Sequence, residues 1–216
     1  MSSSVIAPAI LAENAEQYKE QVNKITGLVE RVHIDISDGE FAPTLTVGIP
    51  ELWAPEGWMI DIHAMVNDVA EYVPKLIALR PHMIIIHAEA TGDVKTALMQ
   101  IRQAGIMAGL ALLKPTVPRT VEELIKIADH VMIFSGELGR FGGTASLMQL
   151  EKIRLIKAIN PSVEIGWDGG VAVDNAYSLV QGGVNVLNVG GVIQKSSDPR
   201  TIFSRLQQEI NKTSVL

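Results

Sequence analysis

The chain is 216 residues long, 47% hydrophobic and 19% charged, and it carries no cysteine. So apolar a chain can offset its ordering entropy, which excludes a disordered tail. Without thiols it has no disulfide framework, thiolate nucleophile or cysteine-based metal cluster. A formal charge of −6 argues against a nucleic-acid surface, which needs Lys and Arg to displace phosphate counterions, and leaves a small molecule or another protein as partner.

Short β-branched runs alternate with longer amphipathic stretches along the chain. In order, strands are expected at Val5–Leu11, Val29–Asp35, Met59–His63, Met83–His87, Met107–Leu113, His130–Phe134, Val163–Asp168 and Val184–Val189. Helices are expected at Ala15–Ile25, Val69–Ala78, Val94–Ala104, Val121–Ala128, Ser146–Ile159, Asp174–Gln181 and Pro199–Ile210. The loop after Asp35 runs to about Gly48, and the helix of the second unit is short or absent. The strands are apolar on both faces, as buried parallel strands are. No linker divides the chain, so residues 1–216 read as one α/β domain, a (β/α)8 TIM barrel. The rival is a doubly wound open sheet, but the first strand lacks the GxGxxG turn. The longest apolar runs fall far short of the roughly 20 residues that cross hydrocarbon. The opening MSSSVIAPAIL has no basic start of a secretion signal, so the expected compartment is the cytosol.

In such a barrel the chemistry sits at the carboxyl ends of the strands. The second strand ends His33-Ile34-Asp35, the third Asp61-Ile62-His63, the fourth at His87 and the seventh at Asp168. A carboxylate there costs several kcal/mol unless it is paired or holds a metal. Residues two apart on a strand share a face, so His33 and Asp35 point the same way. With His63 and Asp168 they make a nest suited to one divalent metal, zinc first, with manganese, cobalt or iron(II) as alternatives. The competing reading is two core histidines and two loop-capping aspartates. Gly142-Gly143, Gly169-Gly170 and Gly190-Gly191 follow the sixth, seventh and eighth strands. Backbone amides bared by glycine on the last loops of a barrel bind phosphate, so these pairs are candidate contacts for a phosphorylated substrate.

Together these stretches resemble the ribulose-phosphate 3-epimerase family over nearly the whole chain. The resemblance is carried by Pro8-Ala9-Ile10-Leu11-Ala12, by His33-Ile34-Asp35-Ile36-Ser37-Asp38-Gly39 with Phe41 and Pro43, and by Asp61-Ile62-His63-Ala64-Met65-Val66. His87-Ala88-Glu89-Ala90, Phe141-Gly142-Gly143 and Asp168-Gly169-Gly170-Val171 continue it. It implies a metal-dependent barrel of ribulose-phosphate-binding type that inverts carbon 3 of a ketose phosphate. The pair D-ribulose 5-phosphate and D-xylulose 5-phosphate, or a close analogue, would be interconverted. By that resemblance His33, Asp35, His63 and Asp168 bind the metal, Asp35 and Asp168 are the acid/base pair, and the chain self-associates as a dimer or hexamer. The residues support such chemistry independently: inversion beside a ketone needs a proton removed on one face and returned on the other, with a Lewis acid to stabilise the enediolate.

Departures from the family pattern concern the residues expected to line the site. Ala9 stands where the family has Ser, Ser37 and Phe134 where it has Met, and Met65 keeps its Met. Asn188 is polar in a strand that is usually aliphatic, and the loop Ser135–Phe141 is longer and carries Glu137 and Arg140. His87 is expected to line the site by the family match. Arg140 and Lys114 are read evenly as site or solvent residues, His82 as surface, and Trp167 as packing under the helices. Three alternatives remain: a hexulose 6-phosphate (allulose-type) 3-epimerase, a non-catalytic sugar-phosphate-binding barrel that keeps its metal site, and a decarboxylase or aldolase barrel. The last needs an Asp-x-Lys-x-x-Asp motif, and Ser37 stands where that lysine would be.

Overall fold

The computed structural model describes residues 4–212, and residues 1–3 and 213–216 of the expected 1–216 domain lie outside it. Eight parallel strands close on themselves in chain order: β1 Val5–Ile10, β2 Arg31–Ser37, β3 Met59–Met65, β4 Met83–His87, β5 Met107–Leu112, β6 His130–Phe134, β7 Glu164–Asp168 and β8 Val186–Val189. The helices are α1 Ala15–Ile25, α2 Val69–Ala78, α3 Val94–Gln103, α4 Glu122–Ile127, α5 Glu151–Ile159, α6 Ala176–Gln181, α7 Gly191–Gln194 and α8 Pro199–Ile210. The second unit has only the 3-10 turn Ile49–Glu51. The expected (β/α)8 barrel is therefore observed, and the open sheet is excluded by the pairing of β1 with β8.

Alternation along the strands makes two cores. Val32, Ile34 and Ile36 of β2 join Ile62, Ile84, Ile86 and Trp167 in the large apolar shell under the helices. Trp167 is fully buried there, and its Nε1–H donates to the Gly169 carbonyl at 3.0 Å. Burying one such side chain contributes about 1.5–3 kcal/mol. A smaller inner cluster of Met83, Ile85, Ala111, Met132 and Phe134 fills the barrel itself. Carboxamide and carboxylate caps set several helix starts: Asn14 accepts from Gln17 N, Asp93 from Thr96 N and Asp198 from Thr201 N, each at about 3 Å, each contributing about 1 kcal/mol.

At the amino-terminal end of the barrel the inward-facing residues are charged. Arg31 donates to Asp61 at 2.6 Å and grips Glu164 with both guanidinium nitrogens at 3.0 and 2.8 Å. Glu164 also pairs with His130 Nδ1 at 2.7 Å, and Asp61 with His82 Nδ1 at 2.8 Å. The Arg31 and His130 contacts outweigh burial and hold the Glu164 carboxyl well below the glutamate range. His82, expected at the surface, is instead half-buried in this network because Asp61 turns inward to meet it. The His130 ring fits only because β7 carries Gly166, where a β carbon would stand 2.3 Å from His130 Nε2.

Candidate active site at the mouth of the barrel

At the opposite end, β2 and β3 each run two residues further than expected, to Ser37 and Met65. Asp35 and His63 therefore sit one layer below the rim, in register with each other, and they are 7% and 0% exposed. Their position inside the strand gives them a backbone fixed by pairing on both sides, which holds side chains more precisely than a loop does.

His33, Asp35, His63 and Asp168 converge. One nitrogen or oxygen from each lies within 4.8 Å of every other. Asp35 Oδ1 is 2.8 Å from His63 Nδ1 and 3.2 Å from His33 Nε2. Asp168 Oδ2 is 3.8 and 3.9 Å from the same two nitrogens. Both nitrogens of the fully buried His33 lack a hydrogen-bond partner among the described residues. An unpaired buried polar group costs about 1–3 kcal/mol, so this ring is arranged to meet something other than the chain. Two imidazole and two carboxylate donors suit a divalent transition-metal ion.

The two carboxyls differ electrostatically. Burial alone would raise Asp35, but the His33 ring 3.2 Å away and the hydrogen bond from His63 outweigh it and hold the group far below the carboxylate range. Asp168 is pushed up to about 6 by burial and by the Asp35 charge. Of the two, Asp35 is the firm carboxylate and Asp168 the group that takes a proton.

A cavity of about 300 Å³ opens above the cluster, lined by Ala9, Asp35, Met65, Phe134, Asp168 and Asn188. Its rim carries Gly142, Gly143, Gly169, Gly170, Gly190 and Gly191, the glycines singled out in the sequence, with Arg140 and Lys195 beside them. Gly169 and Gly170 have φ of 98° and 71°, which only glycine adopts cheaply. A β carbon at Gly169 would strike the Gly136 backbone at 2.0 Å. The loops after β6 and β7 therefore touch main chain to main chain.

Two expected lining residues do not reach this cavity. Ser37 is buried with its hydroxyl turned to the Gly39 N–H at 3.3 Å, because the loop after β2 folds back there. His87 is fully buried behind His63, 2.8 Å away between the two Nε2 atoms, and under the Phe41 ring. Lys114 lies outside too, on a groove beyond Phe134 that it shares with Pro43, Leu113, Leu138 and Arg140. Glu89, quoted in the sequence only as part of a stretch, stands beyond His87 and accepts from Leu113 N at 3.0 Å. A carboxylate two residues from a strand-end histidine was the available signal.

Comparison with known proteins agrees with this arrangement. The model of the Ribulose-phosphate 3 epimerase family matches residues 5–194. A ribulose-phosphate 3-epimerase of Aquifex aeolicus is 30% identical over 202 residues, covering 90% of this chain and 91% of its own. One from Helicobacter pylori is 30% identical over 210 residues, covering 94% and 96%. Among solved structures, 3-keto-L-gulonate-6-phosphate decarboxylase from Vibrio cholerae superposes with a TM-score of 0.75 at 12% identity over 97% of this chain and 98% of that one. 3-Hexulose-6-phosphate synthase from Salmonella typhimurium gives 0.73 at 15% over 95% and 97%. At those identities the two structures share the fold alone. The chain belongs to the ribulose-phosphate 3-epimerase family and is an isomerase of the epimerase type.

Proposed function

We propose that this member of the family inverts carbon 3 of a ketose phosphate, interconverting D-ribulose 5-phosphate and D-xylulose 5-phosphate, with one divalent metal held by His33, Asp35, His63 and Asp168. The observation that carries the reading is the convergence of those four side chains on the floor of a glycine-rimmed cavity. Zinc suits the donor set best, and manganese, cobalt or iron(II) fit it as well. When bound, the cation supplies Lewis-acid charge that stabilises the enediolate.

The chain's own groups do the rest. Asp35 and Asp168 reach the cavity from β2 and β7, on different sides of the bound carbon. Asp35, held ionised, takes a proton from one face. Asp168, with its carboxyl pushed up to about 6, is protonated often enough near neutrality to return one on the other. A base and an acid with separated affinities are what a two-base inversion needs. The amides of Gly142, Gly143, Gly169, Gly170, Gly190 and Gly191 receive the phosphate, with Arg140 and Lys195 adding positive charge at the rim. Met65 and Phe134 shield the reacting carbon from water. By the same family resemblance the chain works as a homo-oligomer, a dimer or hexamer. Among the described residues no helix is long and apolar enough to cross a membrane.

The test is incubation of the metal-reconstituted protein with D-ribulose 5-phosphate in deuterated water. Deuterium at carbon 3, with xylulose 5-phosphate formed, is the expected result. The second substrate to be tried is a hexulose 6-phosphate, which adds one carbon between the reacting centre and the phosphate. Exchange on the hexulose alone would select that reading. Exchange on neither, with metal bound, would leave a sugar-phosphate-binding barrel.

A further inference from the structure

Behind the four-residue cluster runs a chain of polar groups that the inversion itself does not use. His63 turns Nδ1 toward Asp35 and Nε2 toward His87, 2.8 Å from its Nε2. His87 is fully buried, under Phe41 with ring centroids 4.6 Å apart and edge-on to Phe134 at 5.9 Å. Its other nitrogen, Nδ1, lies 3.4 Å from Glu89 Oε2, and neither atom has another partner. Glu89 is itself pinned, with Oε1 accepting from the Leu113 N–H and the Thr116 hydroxyl.

Proton positions follow from the geometry. With a cation in the cluster, the lone pair of His63 Nδ1, the nitrogen that faces Asp35, would be its ligand, and the ring hydrogen of His63 would be on Nε2. The atom in front of Nε2 at 2.8 Å is His87 Nε2, which must then be the acceptor. The hydrogen of His87 is left to Nδ1, the nitrogen that faces Glu89 Oε2. A carboxylate only accepts hydrogen bonds, so Glu89 suits that end of the chain.

We propose that Glu89 and His87 are positioning residues that fix the tautomer of His63, so that divalent-metal affinity is set in part by a carboxylate two side chains behind the ligand. This rests on the reading that the four-residue cluster holds a cation. Partners of this kind behind a histidine ligand typically change metal affinity by about 10- to 100-fold. The strand geometry supports the role: β3 and β4 are paired neighbours with His63 opposite Ile85, and His87, two residues on, shares Ile85's face of the sheet. Phe41 and Phe134 leave the ring little freedom to turn.

Glu89→Gln keeps the shape and removes the charge, and Thr116→Val loosens only one of the contacts that hold Glu89. After stripping with a chelator, zinc and manganese dissociation constants are measured by competition with a chromophoric chelator. Nitrogen-15 shifts of His63 and His87 are recorded on the zinc-loaded samples, and thermal unfolding confirms that each variant folds. Glu89→Gln is expected to bind zinc about 10- to 100-fold more weakly, with the His87 proton redistributed between its two nitrogens. Thr116→Val should bind a few-fold more weakly at most, with activity restored in both variants by excess metal. Glu89→Gln binding within twofold of the parent, with the His87 proton still on Nδ1, overturns the relay alone. A parent that binds neither metal, or binds equally well after His33→Ala, overturns the metal reading and the relay with it.

Discussion

β2 carries Arg31 to one end of the barrel and Asp35 to the other, and β3 and β7 do the same with Asp61 and His63, and with Glu164 and Asp168. At the amino-terminal end the charges answer one another: Arg31 is bonded to two carboxylates, and each carboxylate to a histidine as well. Among the described residues, His130 Nε2 is the one buried side-chain atom of that network without a partner. At the mouth the groups are as deeply buried but poorly satisfied, with both His33 nitrogens unpartnered and a carboxyl driven up by burial and by its neighbour. Similar residue types on the same strands thus form a self-contained plug below and a receptive cluster above. Satisfaction of the polar atoms, rather than their burial or charge, separates the two.

That contrast can be broken by exchanging consequences between the ends. Asp35→Asn and Asp168→Asn should each lower the epimerisation rate by about 10²- to 10⁴-fold, read as deuterium exchange at saturating metal. In the metal-free protein Asp168→Asn should leave the melting temperature equal or higher, since a costly buried carboxyl is gone. A variant that keeps most of its turnover removes the two-base scheme. Arg31→Met should do the reverse. It leaves Glu164 and Asp61 without their cation and should cost about 3 kcal/mol in denaturant unfolding, with the kinetics of the remaining folded enzyme near those of the parent. Lost turnover at unchanged stability would mean that the plug is no mere scaffold.

Smaller effects sharpen the same contrast. Chelation should abolish activity and lower the melting temperature, because a cation at about 100 times its dissociation constant stabilises the fold by about 2.7 kcal/mol. The paired lower end should not respond to metal at all. Acid should act there instead. Glu164 titrates lower in the folded chain than its ordinary 4.5, so folding favours its ionised form. The stability it contributes is whole above about pH 4.5 and drains as pH falls toward the folded value. Glu164→Gln should flatten that part of the unfolding-versus-pH curve, and an unchanged slope would place the acid sensitivity elsewhere.

The barrel was readable because eight apolar runs recur with amphipathic stretches between them, and that periodicity survives without any tertiary information. Strand ends were less so. Placing them at Asp35 and His63 treats a polar residue as a marker of the rim, whereas here the cluster lies a layer inside and Ser37 and Met65 complete the pairing. Helix α7 was missed because four residues, Gly191–Gln194, are too few for a 3.6-residue period to show. The plug was half visible, since the alternation that joins Asp35 to His33 continues down to Arg31, and from Asp168 to Glu164. What hid it was the partner strand: nothing local says that Arg31 faces Glu164, 133 positions away. His82 and His87 were misplaced for a similar reason, each being defined by a neighbour on β3.

The missing β carbon at position 166 ties two distant sites in the chain's history. Any larger residue there collides with the imidazole at 130, while a smaller residue at 130 would leave a hole beside the bare glycine. Drift through this pair therefore has an order: the histidine must shrink first, through a destabilised ancestor, before the glycine can be replaced. Lineages holding both should stay locked together, and those that escaped should have changed both.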